Sequence, residues 1–278
     1  MSVIKKYDQN GRDVVRIFVG TSPSGEDAEA CMVLEHSLRA RASVPVEIEW
    51  ARLSRDSQSP FSGWLTERWN TPWTALRWAV PAACGWRGRA IYFDCPQIVL
   101  GDLAAFARAP MPAGAFVLLR RASGSSIETA CLVFDCAEAK KHLPSLAEMR
   151  ADVGAHQEVG SLLARRPRLA GELPPGWGVS DADFARDRAG VTGSVYFASA
   201  YTQPHAPRAL ARLARAGRIH WFDEVRLPHY CAALVAQFAG EYAAAVAAGR
   251  SPEEYVPEEA YGPLAIRGRE CSAAKIET

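Results

Sequence analysis

Between residues 14 and 50 the chain sets two β-rich runs around a helix, with almost nothing spare between them. Val14-Val15-Arg16-Ile17-Phe18-Val19-Gly20 is stopped by Thr21-Ser22-Pro23-Ser24-Gly25, a cluster of turn formers. Over 26–41, Ala28, Cys31, Met32, Leu34 and Leu38 fall at spacings that suit one buried helix face. The stretch 44–50 alternates apolar and polar residues, as a second strand should. Two strands joined through a helix this compactly pair in parallel with a right-handed crossover. That commits the N-terminal part to an α/β sheet.

The alternation continues downstream. A helix is predicted over 71–84, with Pro72 early enough that its missing N–H costs little. Strands are expected at 90–94, 114–120 and 129–135, a helix at 102–108, and mainly helix over 146–165. The expected class is α/β, a mainly parallel central sheet flanked by helices on both faces. From 207 the composition shifts to Ala, Arg and Leu, which predicts helices at 208–217 and 228–249 and a poorly structured tail after 263. The expected division is a sheet domain over 14–206 and a C-terminal helical extension over 207–278.

Composition excludes several classes. The 278 residues are 49% hydrophobic, enough to bury a substantial core. Lys and Arg total 32 against 31 Asp and Glu, so no basic field exists to hold nucleic acid by counterion release. The first residues, MSVIKKYDQNGRD, have no apolar leader region, and no run reaches the length of a spanning helix; a cytoplasmic protein is expected. The seven cysteines include no Cys-x-x-Cys pair and read as small buried hydrophobes, not as a disulfide framework or a zinc site.

The run Arg89-Ala90-Ile91-Tyr92-Phe93-Asp94-Cys95-Pro96 is a strand that ends on a single acid, Asp94. Five tryptophans (64, 69, 73, 78 and 86) precede it; they can form a sugar-stacking platform, although core packing is the simpler reading. Arg208, Arg212, Arg215 and Arg218 can touch a membrane surface or form a solvated helix face. His36 beside the first helix's apolar stripe reads as structural.

Several segments, in order, now resemble one family: the bacterial branch of glycosyltransferases similar to family 8, whose GT-A fold binds a nucleotide sugar. Arg16-Ile17-Phe18-Val19-Gly20-Thr21-Ser22-Pro23 is similar to its first strand and nucleotide loop, and His36-Ser37 with Arg41-Ala42-Ser43-Val44-Pro45-Val46 to its first helix and exit. Asn70-Thr71-Pro72-Trp73-Thr74-Ala75-Leu76-Arg77-Trp78-Ala79-Val80-Pro81 resembles the helix whose arginine lies beside the donor phosphates. Tyr92-Phe93-Asp94-Cys95 resembles the strand entering Asp-x-Asp, and 128–136 a later strand. His156-Gln157-Glu158-Val159 resembles Asp-Gln-Asp-Val, Leu173-Pro174-Pro175-Gly176-Trp177-Gly178 resembles Leu-Pro-x-x-Trp-Asn, and Thr202-Gln203-Pro204-His205 resembles Thr-Gln-Pro-Trp.

The resemblance implies a retaining glycosyltransferase. Its donor would be a UDP-sugar, its acceptor a polysaccharide, glycan or lipid-linked molecule, and peripheral membrane association would follow from a lipid-linked acceptor. It places Glu158, Gln157 and Asp94 at the reaction centre, and Gly20, Thr21, Ser22, Arg77, Asp94, Tyr196 and Gln203 around the donor. The departures fall on the metal: Pro96 stands for the second carboxylate of Asp-x-Asp and Tyr196 for the later histidine. Hard cations want several oxygen ligands, so no protein metal site is expected and Mn or Mg would be held weakly. Two readings remain open: transfer with weak or absent metal dependence, or a catalytically inactive relative that binds or regulates in polysaccharide assembly.

Overall fold

A computed structural model describes residues 14–121, 127–262 and 264–266, and the backbone of 269–271. Its centre is a six-stranded sheet of β1 (Val15–Gly20), β2 (Val46–Ala51), β3 (Arg89–Asp94), β5 (Val117–Arg121), β6 (Ile127–Asp135) and β7 (Ala170–Glu172), in the order β2-β1-β3-β6-β5-β7. β1 pairs in parallel with both β2 and β3, and β5 with β7; β6 runs against its neighbours β3 and β5. Five of the six strands therefore share a direction, which makes the sheet mainly parallel, as expected. Ile17, Val19, Tyr92, Phe93, Val133 and Phe134 are fully enclosed because helices cover both faces.

Helix α1 (Ala28–Arg41) follows β1 after the predicted turn and is buried nearly all round from Ala28 to Glu35. Its stripe faces the sheet, while its other side is covered by α8 (Ala206–Arg215), α9 (Ala232–Ala247) and a 3-10 turn at Pro252–Tyr255. This burial takes two carboxylates out of water, and both are paired: Glu29 with Arg212 at 2.8 Å, and Glu35 with Arg39 at 2.6 Å and Arg250 at 3.4 Å. The region past residue 207 is thus bound closely to the first helix.

The predicted helix at 71–84 is present as a 3-10 turn, Leu76–Ala79, and the short α2, Val80–Ala83. The segment before it is instead held by Thr74, whose hydroxyl accepts from the Asn70 and Thr71 N–H groups. Helix α3 spans Leu103–Ala107, and the helical stretch at 146–165 divides into α5 (Leu146–Ala151) and α6 (Ala155–Arg165), after the single turn α4 (Cys136–Ala139). The tail after residue 263 is a correction. Strands β10 (Leu264–Ile266) and β11 (Arg269–Cys271) form an antiparallel hairpin there, and residues beyond 271 lie outside those described.

A small second sheet was not anticipated. β4 (Gln97–Val99), β9 (Ser194–Tyr196) and β8 (Val179–Ser180) pair in that order, and α7 (Asp181–Arg186) follows β8. Trp177 anchors it: the ring stacks on Phe106 at 3.8 Å and lies so close to Gly193 that a Cβ there would approach it to 2.4 Å. The six described cysteines are free and buried. Trp69, Trp73 and Trp78 belong to the main core.

Candidate functional site

The carboxyl ends of β1, β2 and β3 form one edge. Gly20, Ala51 and Asp94 stand side by side across it, because Gly20 is in register with both of the others. Open α/β sheets bind ligands at such an edge.

Asp94 is held from two sides. Arg77 Nη2 lies 3.0 Å from Asp94 Oδ1 and 3.3 Å from Oδ2, and the Tyr92 hydroxyl donates to Oδ1 at 2.6 Å. Arg77 is buried, and its other nitrogens donate to the Thr74 carbonyl and to the Thr129 carbonyl and hydroxyl. All three of its nitrogens are therefore engaged within the protein. Burial pushes the Asp94 carboxyl above its usual range, against the opposing pull of Arg77, Tyr92 and Trp73. The Tyr92 phenol is driven well up by burial and by the neighbouring Asp94 charge.

Gly20 lies under this cluster. A Cβ there would meet the Tyr92 hydroxyl at 1.9 Å and Trp73 Cδ1 at 2.7 Å, so only glycine fits and the space above it is occupied by two aromatic side chains. The Trp73 ring packs edge-on against Trp221 at 5.6 Å. Trp73 stood out in the sequence only as one of five tryptophans and Tyr92 only as part of an apolar strand, and neither reading placed them over Gly20.

Tyr196 approaches from β9, which enters through its pairing with β4 just beyond Asp94; Gln97 is its register partner. Its hydroxyl donates to Glu128 Oε2 at 2.8 Å. Burial raises the Glu128 carboxyl, with Tyr196 and Arg120 pulling the other way, and the Tyr196 phenol is raised by burial and the Glu128 charge. Fully buried Gln97 donates to the Ala130 carbonyl and leaves its Oε1 without a partner among the described residues.

The remaining expected residues are dispersed. Gln157 and Glu158 are exposed on the first turns of α6. Beside them, His156 accepts from the Trp78 indole N–H at 3.1 Å, and burial with the nearby Arg77 charge holds the ring neutral, at a pKa of about 3. Gln203 is buried at the edge of an apolar groove of about 510 Å³ that includes Pro204, Leu227, Pro228 and Val235. Thr21 and Ser22 are buried too, Thr21 against Cys31 and Ser22 accepting from the Asp27 N–H.

The loop after β1 is enclosed by the C-terminal region. Arg218 donates to the Ser24 carbonyl, Arg212 to the Gly25 carbonyl, and the Tyr261 N–H to Ser24 Oγ. At its centre is fully buried Asp27, the residue before α1. Trp221 Nε1 donates to its Oδ2 at 2.8 Å, and His205 Nε2 and His220 Nε2 lie 3.2 and 3.3 Å from its Oδ1. Burial alone would raise this carboxyl; His220 and His205 outweigh it and hold it well below the usual range.

Asp27, His205 and His220 are close enough to chelate an ion, but the hydrogen bonds oppose it. His220 Nδ1 accepts from the Phe222 N–H at 3.0 Å, so the neutral ring carries its proton on Nε2, the atom that faces Asp27. A protonated nitrogen is no metal ligand. The Asp94 cluster fits an ion no better: Arg77 and Tyr92 use its oxygens, Pro96 offers none from its side chain, and the Tyr196 hydroxyl is directed to Glu128.

No protein-family model and no curated protein matches the chain. Solved structures do. The galactosyltransferase LgtC, in complex with donor and acceptor sugar analogues, aligns over 87% of this chain and 99% of its own at 10% identity and a TM-score of 0.54. GlyE of Streptococcus pneumoniae TIGR4 aligns over 87% of this chain and 62% of its own at 10% identity and 0.54. The bifunctional glycosyltransferase WbbM aligns over 71% of this chain at 12% identity and 0.51, and the match spans about half of that longer protein, 49%. At such identities the likeness is one of architecture: the chain has the fold of the GT-A glycosyltransferases.

Proposed function

We propose that this protein is a catalytically inactive member of the glycosyltransferase fold, which binds a nucleotide sugar or glycan and serves as a binding or regulatory partner in polysaccharide assembly. The observation that carries this reading is the state of Asp94. Its carboxylate is bound to Arg77 and Tyr92, the next position able to supply a carboxylate is Pro96, and Tyr92 and Trp73 stand over Gly20. Metal-assisted departure of a nucleoside diphosphate needs an ion that bridges its phosphates, and among the described residues no set of oxygens is arranged at this edge to hold one. Arg77, the natural cationic substitute, is already engaged at all three nitrogens.

A second reading, weakly metal-dependent or metal-independent transfer, is favoured by Glu128. A carboxyl raised by burial and hydrogen-bonded to a phenol is suited to proton transfer. Calorimetric titration with a panel of nucleotide sugars, with and without manganese, followed by a donor-hydrolysis assay, separates the two. The first reading expects binding without manganese dependence and no hydrolysis. Turnover abolished by Glu128→Gln would establish the second.

A further inference from the structure

Among the described residues, one recess on the same sheet edge is not filled by side chains. Arg52 directly follows Ala51, the last residue of β2, which is in register with Gly20 and, through it, with Asp94. The recess therefore begins two strand spacings, roughly 10 Å, from Asp94. It has a volume of about 240 Å³ and is lined by Arg52, Ser54 and Arg55 with Pro23, Pro257 and Tyr261 among others.

The charges in it are unbalanced. Arg52 is partly buried, and its side chain makes one long hydrogen bond, 3.4 Å, to the Tyr255 carbonyl. No ion pair joins it to a carboxylate among the described residues. Burial lowers its pKa, the sign of a cation removed from water without compensation. Such a charge is costly unless something pairs with it. Arg55 enters from the loop after β2, donates to the Tyr261 carbonyl and lies 5.9 Å from the Tyr261 ring. The one acid lining the recess among the described residues, Glu259, is exposed.

We infer that this recess is an anion site for a phosphoryl or pyrophosphoryl group, held by the Arg52 and Arg55 guanidinium groups. Two guanidiniums match a phosphoryl dianion better than a lone carboxylate, because Glu259 stands in solvent and its charge is screened there. Their planar forks suit phosphate oxygens. The volume selects the same class: it is below the roughly 300–1,000 Å³ of pockets that enclose a drug-sized ligand, so a small anionic group enters and the rest of its molecule stays outside. The residues differ from those of the Asp94 cleft, and the inference does not depend on what that cleft does.

The test is calorimetric titration of the full chain with pyrophosphate and, separately, inorganic phosphate at constant ionic strength. Saturable binding is expected, tighter for pyrophosphate. Arg52→Met should weaken it at least about tenfold, as loss of a charge-assisted pair does, and Arg55→Ala should weaken it as well. The unliganded Arg52→Met protein should melt at the wild-type temperature or above, because the change removes an uncompensated charge; that separates a lost site from a lost fold. Glu259→Gln should tighten binding several-fold. Pyrophosphate affinity unchanged by Arg52→Met, or no saturable binding of either probe, overturns the inference. Because pyrophosphate carries neither base nor sugar, this outcome is read independently of nucleotide-sugar binding.

Discussion

Asp27 and Asp94 are both carboxylates taken out of water at one edge of the same three parallel strands, and the protein treats them in opposite ways. Asp27 has three N–H groups around it, from Trp221, His205 and His220, and is stabilised as an anion. Asp94 has a guanidinium and a phenol, yet desolvation still raises it. What differs is where the partners come from. Those of Asp94 lie within 17 residues along the chain, while those of Asp27 lie 178 to 194 residues away. Asp94 belongs to the sheet edge itself; Asp27 fastens the C-terminal region over the loop after β1.

The largest expected effect tests that fastening. Asp27→Ala should destabilise the fold by about 3–5 kcal/mol, because it breaks a buried polar cluster and leaves donors uncompensated; urea unfolding measures it. Acid titration comes next. His156 has a folded pKa of about 3 against 6.5 when unfolded, so its contribution is complete above pH 6.5 and declines as pH falls toward 3. The slope is at most about 1.4 kcal/mol per pH unit, and less because the ring is partly exposed. Asp27, depressed in the fold, contributes above 3.8 and loses that contribution as pH falls below it. Asp94, raised in the fold, has the opposite sign: its contribution is present below 3.8 and is eroded as pH rises. Denaturation midpoints from pH 3 to 8 should therefore respond in opposite senses to Asp27→Asn and Asp94→Asn.

Asp94→Asn should alter stability at neutral pH by only about 1 kcal/mol, since an amide can still accept from Tyr92 and Arg77. A cost matching that of Asp27→Ala would end the contrast between the two sites. Tyr196→Phe is expected to have an effect of the same small size, about 1 kcal/mol, by leaving Glu128 without its donor; thermal melting detects it, and Glu128→Gln/Tyr196→Phe together should cost less than the sum.

Much of the sheet was legible in the sequence because its central strands are apolar and doubly buried, while β2 alternates; the three-residue β7 was not seen. β1, β3 and β6 read as apolar runs, and α1 announced itself through its spacing. The β4-β9-β8 sheet was not legible, since strands of two or three residues carry no periodicity to detect. The terminal hairpin was hidden for the same reason. In the candidate site, Asp94 and Arg77 were singled out through the resemblance, and the fold brings them into contact. Asp27 was invisible as anything but a residue in a turn: it gains its character from Trp221, and nothing local in either segment states that they meet. Trp73 was noted among the five tryptophans and Tyr92 within its strand, but their hydrophobicity described their burial and not their position over Gly20.

The distance along the chain between Asp27 and its partners also orders the protein's synthesis. A nascent chain emerges N-terminus first, and domains form as their segments become available. Here β1, α1, β2 and β3 leave the ribosome long before His205, His220 and Trp221, so Asp27 must remain hydrated or shielded until the last quarter of the chain arrives. Contacts this remote in sequence are slow to close, and the arrival of Trp221 marks the point at which the first helix can become permanently buried.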